Sequence, residues 1–217
     1  SGCRIFSELS HILKEDNPIP CLIRLNDFHL LAAVDPAFVL NEKLIDCYHS
    51  AKKVISWFDL LFTGESYMKW AVYFLVMLRH MDGAKSEEIC RKLELAPKYR
   101  KIFVQDRLSA EARLNQLYRI MPGKPSDIYR ELHDLKIEQI LYIMAITTHQ
   151  RLIKDISTYV TDLRHIRLSV SGKDLAAMGL SPSPVYGKIL GAVMDAKLNG
   201  RATTREEEME LLKKNAA

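Results

Sequence analysis

Apolar residues recur at steps of three and four along almost the whole chain, and this period limits its fold more than any other feature. Leu44, Cys47, Tyr48, Ala51, Val54, Ile55 and Phe58 form one such stripe. Ile137, Ile140, Leu141, Met144 and Ala145 form a second, and Leu152, Ile153, Ile156, Tyr159, Val160 and Leu163 a third. Each marks one face of an amphipathic helix. Alternation of the strand kind is confined to the short stretch Ile166–Val170. The pattern predicts an all-α chain of about a dozen helices with no significant sheet. No fixed repeat of the helical-solenoid kind is visible.

Turn-forming residues fall between the stripes, at Asn17–Pro20, Asp35-Pro36, Thr63-Gly64, Asp82-Gly83, Pro97, Pro122–Pro125, Gly172, Gly179–Pro184 and Asn199-Gly200. Four of the glycines lie in residues 1–171 and five in 172–217, so long helices are expected first and short, tightly linked helices last. Ser86 with Glu87 and Glu88, and Thr203 with Glu206, read as helix starts. The organisation expected is a first helical region over 1–34, a body over 35–165 and a tail over 166–217.

With 217 residues and 48% hydrophobic content, the chain can bury a sizeable core, which excludes disorder. Its longest apolar run, Trp70–Leu78, is nine residues against the about 20 that a membrane span needs. The first apolar stretch is broken by Arg4, Glu8 and His11 and does not read as a secretory signal, so a cytoplasmic setting is expected. The ends, Ser-Gly and Asn-Ala-Ala, read as those of a piece of a longer protein. Cys3, Cys21, Cys47 and Cys90 are widely spaced with no C-x-x-C, and buried free thiols are expected rather than a disulfide framework or zinc site.

Candidate chemistry is sparse. Metal-dependent nucleotidyl transfer needs paired carboxylates, commonly Asp-x-Asp, and no two aspartates here are one residue apart. Glu206–Glu208 has that spacing but sits at a helix start, where capping accounts for it. A P-loop and a G-x-G-x-x-G are absent. His133-Asp134 is the one doublet of the kind used by His-Asp metal phosphohydrolases, and a solvated face is its plainer reading. Neither catalytic nor metal-ligating residues are assigned. Trp57, Trp70, Tyr67 and Tyr73 lie within apolar patterns and read as core.

The basic residues are more informative. The net charge is +4. Arg164, Arg167, Lys173, Lys188, Lys197, Arg201 and Arg205 face only Asp174 and Asp195, a window of 7 − 2 = +5. Arg91 to Arg107 holds six basic residues against Glu94 and Asp106, or 6 − 2 = +4. Such unevenness suits contact with a phosphate backbone and equally a solvated helical surface.

Residues 171–190, Ser-Gly-Lys-Asp-Leu-Ala-Ala-Met-Gly-Leu-Ser-Pro-Ser-Pro-Val-Tyr-Gly-Lys-Ile-Leu, are followed by Ala196-Lys-Leu-Asn-Gly-Arg-Ala-Thr-Thr-Arg-Glu-Glu-Glu. This resembles the C-terminal region of bacterial class II tRNA nucleotidyltransferases and poly(A) polymerases, approximately G-x-D-L-x-x-x-G-x-x-P-G-P-x-x-G-x-x-L and then A-x-L-x-G-x-x-x-T-x-E-E. Ser183 stands where the family usually has glycine. At the start, Arg4 and Glu8 match the family's neck-helix motif E-R-x-x-x-E-x-x-K, with Cys3 and His11 at its outer positions. Asn17-Pro18 and Leu30-Leu31 also sit as in the family, and the Leu- and Tyr-rich middle resembles the body of the A-adding branch.

The resemblance implies the end of a neck, a body and a tail, with the catalytic head lying upstream. That head would carry Mg²⁺ and transfer from ATP or CTP. The chain itself would grip the acceptor stem and T arm of tRNA and contact its own head and neck. The RNA-binding residues expected are Arg164, Arg167, Lys173, Gly187, Lys188, Lys197, Arg201 and Arg205. Gly187 enters on its own ground, because it weakens the helix starting near Pro184 unless something approaches the backbone closely. Two rival readings are an all-α protein-interaction scaffold and a His-Asp metal phosphohydrolase.

Overall fold

A computed structural model describes residues 1–181 and 183–216. Pro182, part of the tail motif, lies outside the described residues. Its helices are α1 (Gly2–Lys14), α2 (Ile19–Asp27), α3 (Leu30–Val34), α4 (Glu42–Asp59), α5 (Lys69–Met77), α6 (Gly83–Lys92), α7 (Pro97–Arg100), α8 (Arg107–Ile120), α9 (Pro125–Leu132), α10 (Ile137–Ile146), α11 (Gln150–Thr161), α12 (Gly172–Ala177), α13 (Val185–Leu198) and α14 (Arg205–Ala216). A π-helical segment, Lys101–Asp106, joins α7 to α8, and a 3₁₀ turn, Leu163–His165, follows α11. No strand occurs among the described residues, and the β-leaning stretch 166–170 is an irregular connection. The chain forms two compact units, residues 1–116 with 134–153, and residues 117–133 with 154–217.

In the first unit, α5 is buried on every side from Ala71 to Met77 and α10 is buried throughout, as central helices must be. The amphipathic α4 packs its Leu44, Cys47, Tyr48, Ala51, Ile55 and Phe58 face against both. Asn41 caps it, accepting from the Leu44 N–H at 2.9 Å. Phe6, Trp70, Phe74, Tyr99 and Phe103 form a mostly edge-on aromatic cluster. Of the aromatics expected in the core, Tyr73 is buried, whereas Trp57, Tyr67 and Trp70 are half-buried.

The structure corrects several local expectations. Ser86 does not start α6. Asp82 does, accepting from the Lys85 N–H at 2.7 Å, while Ser86 is buried mid-helix. Cys47 and Cys90 are buried free thiols, but Cys3 and Cys21 are exposed. Glu94 holds a left-handed conformation (φ 56°) usually left to glycine. Its carboxylate accepts from the Gly2 and Cys3 N–H groups at 3.1 and 3.3 Å, capping α1. Gly2 is required there, since a Cβ would lie 1.9 Å from the Lys92 carbonyl oxygen. Arg4 and Glu8 are both exposed on α1.

Arg107 is fully buried, at 0% exposure. Its Nε donates to the Phe103 carbonyl (3.2 Å), Nη1 to Glu111 (2.7 Å), and Nη2 to the Met81 carbonyl (2.7 Å) and Ser86 Oγ (2.9 Å). Tyr142 Oη donates to the same Glu111 oxygen at 2.5 Å. Burial, then the Glu111 charge, push the Tyr142 phenol well above its ordinary range. The preceding π turn is tied down from α10, where Gln139 Nε2 donates to the Asp106 carbonyl at 2.7 Å and Lys136 pairs with Asp106 at 2.9 Å.

The second unit is built on Val170, Leu175, Ile189, Val193 and Leu212, with Tyr186 and Leu190 packed against them. Tyr186, Ile189, Leu190 and Val193 thus form the core face of α13. Pro184 is its cap residue, and Ser183 Oγ accepts from the Val185 N–H at 3.3 Å. The box expected from Thr203 and Glu206 is displaced by one. Thr204 Oγ1 accepts from the Glu207 N–H (3.2 Å), and the Glu207 carboxylate accepts from the Thr203 and Thr204 N–H groups (2.6 and 3.1 Å).

Glu208 is the buried charge of this unit, at 0% exposure. It accepts from the Ser169 and Val170 N–H groups at 2.7 and 3.1 Å and from Lys197 Nζ at 2.5 Å. Burial acts to raise its pKa, but the Lys197 bond and the two backbone N–H groups outweigh it and hold the carboxyl below its usual range. The backbone bond at Ser171 lowers Asp174, with the Arg205 charge adding to it, and the N–H groups of Thr203 and Thr204 lower Glu207.

Two outcomes follow from these networks. Arg107→Met leaves Glu111 without its cation and the Met81 carbonyl without the guanidinium donor, and should cost about 3–5 kcal/mol. Trp57 and Trp70 both lie in the first unit, so the loss is readable as a lower urea midpoint in tryptophan fluorescence. The second unit, which has no tryptophan, should melt at a constant temperature above about pH 5. Depressed carboxyls contribute stability above their unfolded pKa and lose it as pH falls through the folded one, so its melting point should drop below about pH 4. Glu208→Gln should lower that melting point at pH 7 and flatten its acid dependence, as read by far-ultraviolet circular dichroism.

Candidate nucleic-acid interface

The basic residues of the second unit divide into those turned to internal partners and those left outward. Lys197, on the last turn of α13, is spent on Glu208. Arg205 donates from Nη1 to the Ser169 carbonyl and from Nη2 to Asp174 at 2.7 Å, tying the start of α14 to the loop before α12. Lys173 on α12, Lys188 on α13 and Arg201 just beyond α13 are exposed. The Arg201 backbone N–H closes the end of α13 on the Ala196 carbonyl (2.8 Å), with Gly200 in the left-handed conformation at φ 72°.

The other window, Arg91 to Arg107, is largely consumed in the first unit. Arg91 and Arg100 both pair with Glu87, at 3.0 and 3.1 Å, and Lys92 lies 3.6 Å from the buried Asp35. Arg107 is inside the core. This part of the chain carries far less outward charge than its composition indicates.

Gly187 sits on the open side of α13. A Cβ there would meet no atom within 4 Å, and the same holds for Gly191 one turn on. Each costs helix stability of about 0.8–1 kcal/mol relative to alanine. By contrast Gly172 lies under the Tyr186 ring, 3.3 Å from where its Cβ would be.

Arg164 and Arg167 come together at one cleft of about 480 Å³, lined also by Tyr129, His133, Leu168 and Gly191. Arg164 Nε donates to His165 Nε2 at 3.2 Å. Arg167 Nη1 donates to the carbonyls of Arg164 (2.7 Å) and Ile166 (2.9 Å). Opposite them the rings of Tyr129 and His133 lie parallel, 10° apart with centroids at 5.5 Å, and the buried Tyr159 meets Tyr129 edge-on at 5.9 Å. His133 Nδ1 is 3.0 Å from the Arg130 carbonyl. A carbonyl only accepts, so Nδ1 carries a proton.

Helix α9, which carries this pair, is fastened to α13. Arg130 binds Asp195 at 2.8 Å, Asn199 Oδ1 accepts from the Ser126 N–H at 3.1 Å, and Asn199 Nδ2 donates to Ser126 Oγ at 2.9 Å. Tyr129 is absent from the expectations drawn from sequence, and His133 enters them only beside Asp134. The signal that marks both is their i, i+4 spacing, which stacks two rings on one helix face. Asp134 is instead paired with Arg113 at 3.0 Å.

The Mg²⁺ implied by the resemblance has no donor set here. Among the described residues no three His, Cys, Asp or Glu side chains gather as a metal site, and no metal-dependent step is assigned to them. No described helix is long and apolar enough to cross a membrane.

No family profile matches the chain. An A-adding tRNA nucleotidyltransferase of Geobacter sulfurreducens is 36% identical over 214 residues, which are 97% of this chain and 24% of that protein. The enzyme of the same description from Aquifex aeolicus is 21% identical over 165 residues, 76% of this chain and 19% of that one. The chain thus spans no more than about a quarter of the length of these curated relatives. Among solved structures, the Thermotoga maritima CCA-adding enzyme complexed with tRNA superposes with a TM-score of 0.80 at 18% identity, over 99% of this chain and 51% of that one. An apo CCA-adding enzyme gives 0.78 at 19% identity, over 97% and 49%. Similar in sequence over nearly its whole length to an A-adding enzyme, and folded like part of CCA-adding ones, the chain belongs to the tRNA nucleotidyltransferase family, of which it forms a helical portion.

Proposed function

We propose that this chain is the tRNA-gripping C-terminal portion of a tRNA nucleotidyltransferase: the end of the neck, the body and the tail. It holds the acceptor stem and T arm by backbone and shape, so that the 3′ end stays in register with a head that transfers adenylyl or cytidylyl groups. Its contribution is positional, because fixing the growing end removes the entropy of bringing it to the reacting groups. Mg²⁺ with ATP or CTP acts in that head, and the setting is the cytoplasm. The observation that carries this reading is the set of outward basic groups on the second unit, Arg167, Lys173, Lys188 and Arg201, that persists once the internal pairs of Lys197 and Arg205 are subtracted.

The protein-interaction scaffold keeps one observation of its own. Ile5, Leu9, Leu25, Leu30, Val34 and Phe38 line an apolar groove of about 250 Å³ on the first unit. Phe28 and Leu30 nearby are also exposed. Such a surface fits a protein partner or another part of the same enzyme.

Binding to a tRNA transcript separates the readings. It should weaken steeply with salt. Reversing the charges of Lys188 and Arg201 together should weaken it and flatten the slope of log affinity against log salt by about 0.7–0.9 for each phosphate no longer neutralised. Lys197→Ala and Arg205→Ala should instead lower the melting temperature. Unchanged affinity and slope in the charge-reversed pair would favour the scaffold. Incubated with tRNA lacking its 3′ end, ATP, CTP and Mg²⁺, the chain alone should add no nucleotide. Metal-dependent extension above a blank would overturn its assignment as the gripping portion.

A further inference from the structure

The cleft of the second unit combines two features that internal packing does not require. One is the parallel pair Tyr129 and His133, with His133 exposed. The other is the exposed Arg167, which lines the same cleft. Arg167 spends one nitrogen on two carbonyls, which fixes the guanidinium at the cleft and leaves its remaining N–H groups for an anion. Gly191 lines the same cleft without a side chain, and nothing in the chain fills the space where its Cβ would be. The volume, about 480 Å³, is that of a small-ligand site.

We infer that this cleft receives one unpaired nucleobase from a loop of the bound RNA, its ring extending the Tyr129–His133 stack and its phosphate meeting Arg167. A flat aromatic face beside a cation selects a ligand that is both planar and anionic. A nucleotide offers both, but only when the base is out of its helix, because a stacked and paired base hides its faces. The open backbone at Gly191 lets the ribose approach α13. The clamps from Arg130 and Asn199 keep α9 fixed on α13, so the aromatic face is formed before RNA arrives. The inference rests on the tRNA-binding reading and adds to it a contact that reads a base rather than the backbone.

The test uses the whole 217-residue chain with two probes at fixed salt, an unmodified tRNA transcript and a blunt RNA duplex without loops. His133 is exposed, so His133→Ala should keep the wild-type melting temperature. It should weaken tRNA binding roughly 5- to 100-fold, the range for loss of one base–aromatic stack. The salt slope should stay unchanged, and duplex binding should not move. His133→Phe should restore affinity, whereas Arg167→Ala should flatten the slope by about 0.7–0.9. Wild-type tRNA affinity in a folded His133→Ala variant would overturn the base site while leaving tRNA binding intact. An equal loss with the duplex would also overturn it, since the contact would then be to backbone. Failure of the wild-type chain to bind either RNA would remove the function reading and the base site with it.

Discussion

The buried guanidinium of Arg107 organises the first unit. A charge out of water is tolerated only when oxygens surround it, and here they come from four separate pieces of chain. They are the turn after α5 (Met81), α6 (Ser86), the π segment (Phe103) and α8 (Glu111). Through Glu111 the network reaches Tyr142 on α10. An apolar core would accept small sliding of these helices, but a planar fork of donors accepts one arrangement. The π segment immediately before it, with its end held by Gln139 and Lys136, belongs to the same solution.

The second unit uses the opposite sign. Its buried charge is Glu208, and the cation that balances it, Lys197, comes from the very stretch whose composition points to RNA. Arg205 is drawn inward in the same way by Asp174 and the Ser169 carbonyl. The motif that resembles tRNA nucleotidyltransferases therefore mixes two kinds of residue. Some hold the loop before α12 and the start of α14 against the end of α13. Others, such as Lys173, Lys188 and Arg201, remain outside. A charge count over the window treats them alike. Ion pairing tells them apart, and pairing depends on Glu208, which lies just beyond the window's end.

The helical class and the buried faces of α4 and α11 were legible because each rests on local periodicity. What was not legible is non-local. Asp82 rather than Ser86 starts α6, since Ser86 is claimed by Arg107 from another helix. Glu94 adopts a conformation its own type disfavours, since its carboxylate caps α1 nearly a hundred residues away in the chain. The capping box of α14 slipped by one residue because Thr203 and Thr204 offer the same signal and only the backbone decides between them. The cleft went unseen for a related reason. Tyr129 and His133 face Arg164 and Arg167 across more than thirty residues of chain, and neither pair is distinctive alone.

The glycines show where internal causes stop. Gly2 is dictated by the Lys92 carbonyl and Gly172 by the Tyr186 ring, both within the chain. Gly187, in the first turn of α13, and Gly191, one turn on, lie on a helix whose other face is core, and a Cβ at either would meet no atom within 4 Å. Alanine at both would strengthen α13 by about 1 kcal/mol per site with no steric penalty from the chain itself. No packing contact within the chain therefore calls for a glycine at either position. Lys188 lies between them on the same exposed stretch and Gly191 lines the arginine cleft. Gly187, Lys188 and Gly191 are thus the part of α13 that the hydrophobic core of the second unit leaves exposed, and Gly191 there borders the cleft of Arg164 and Arg167.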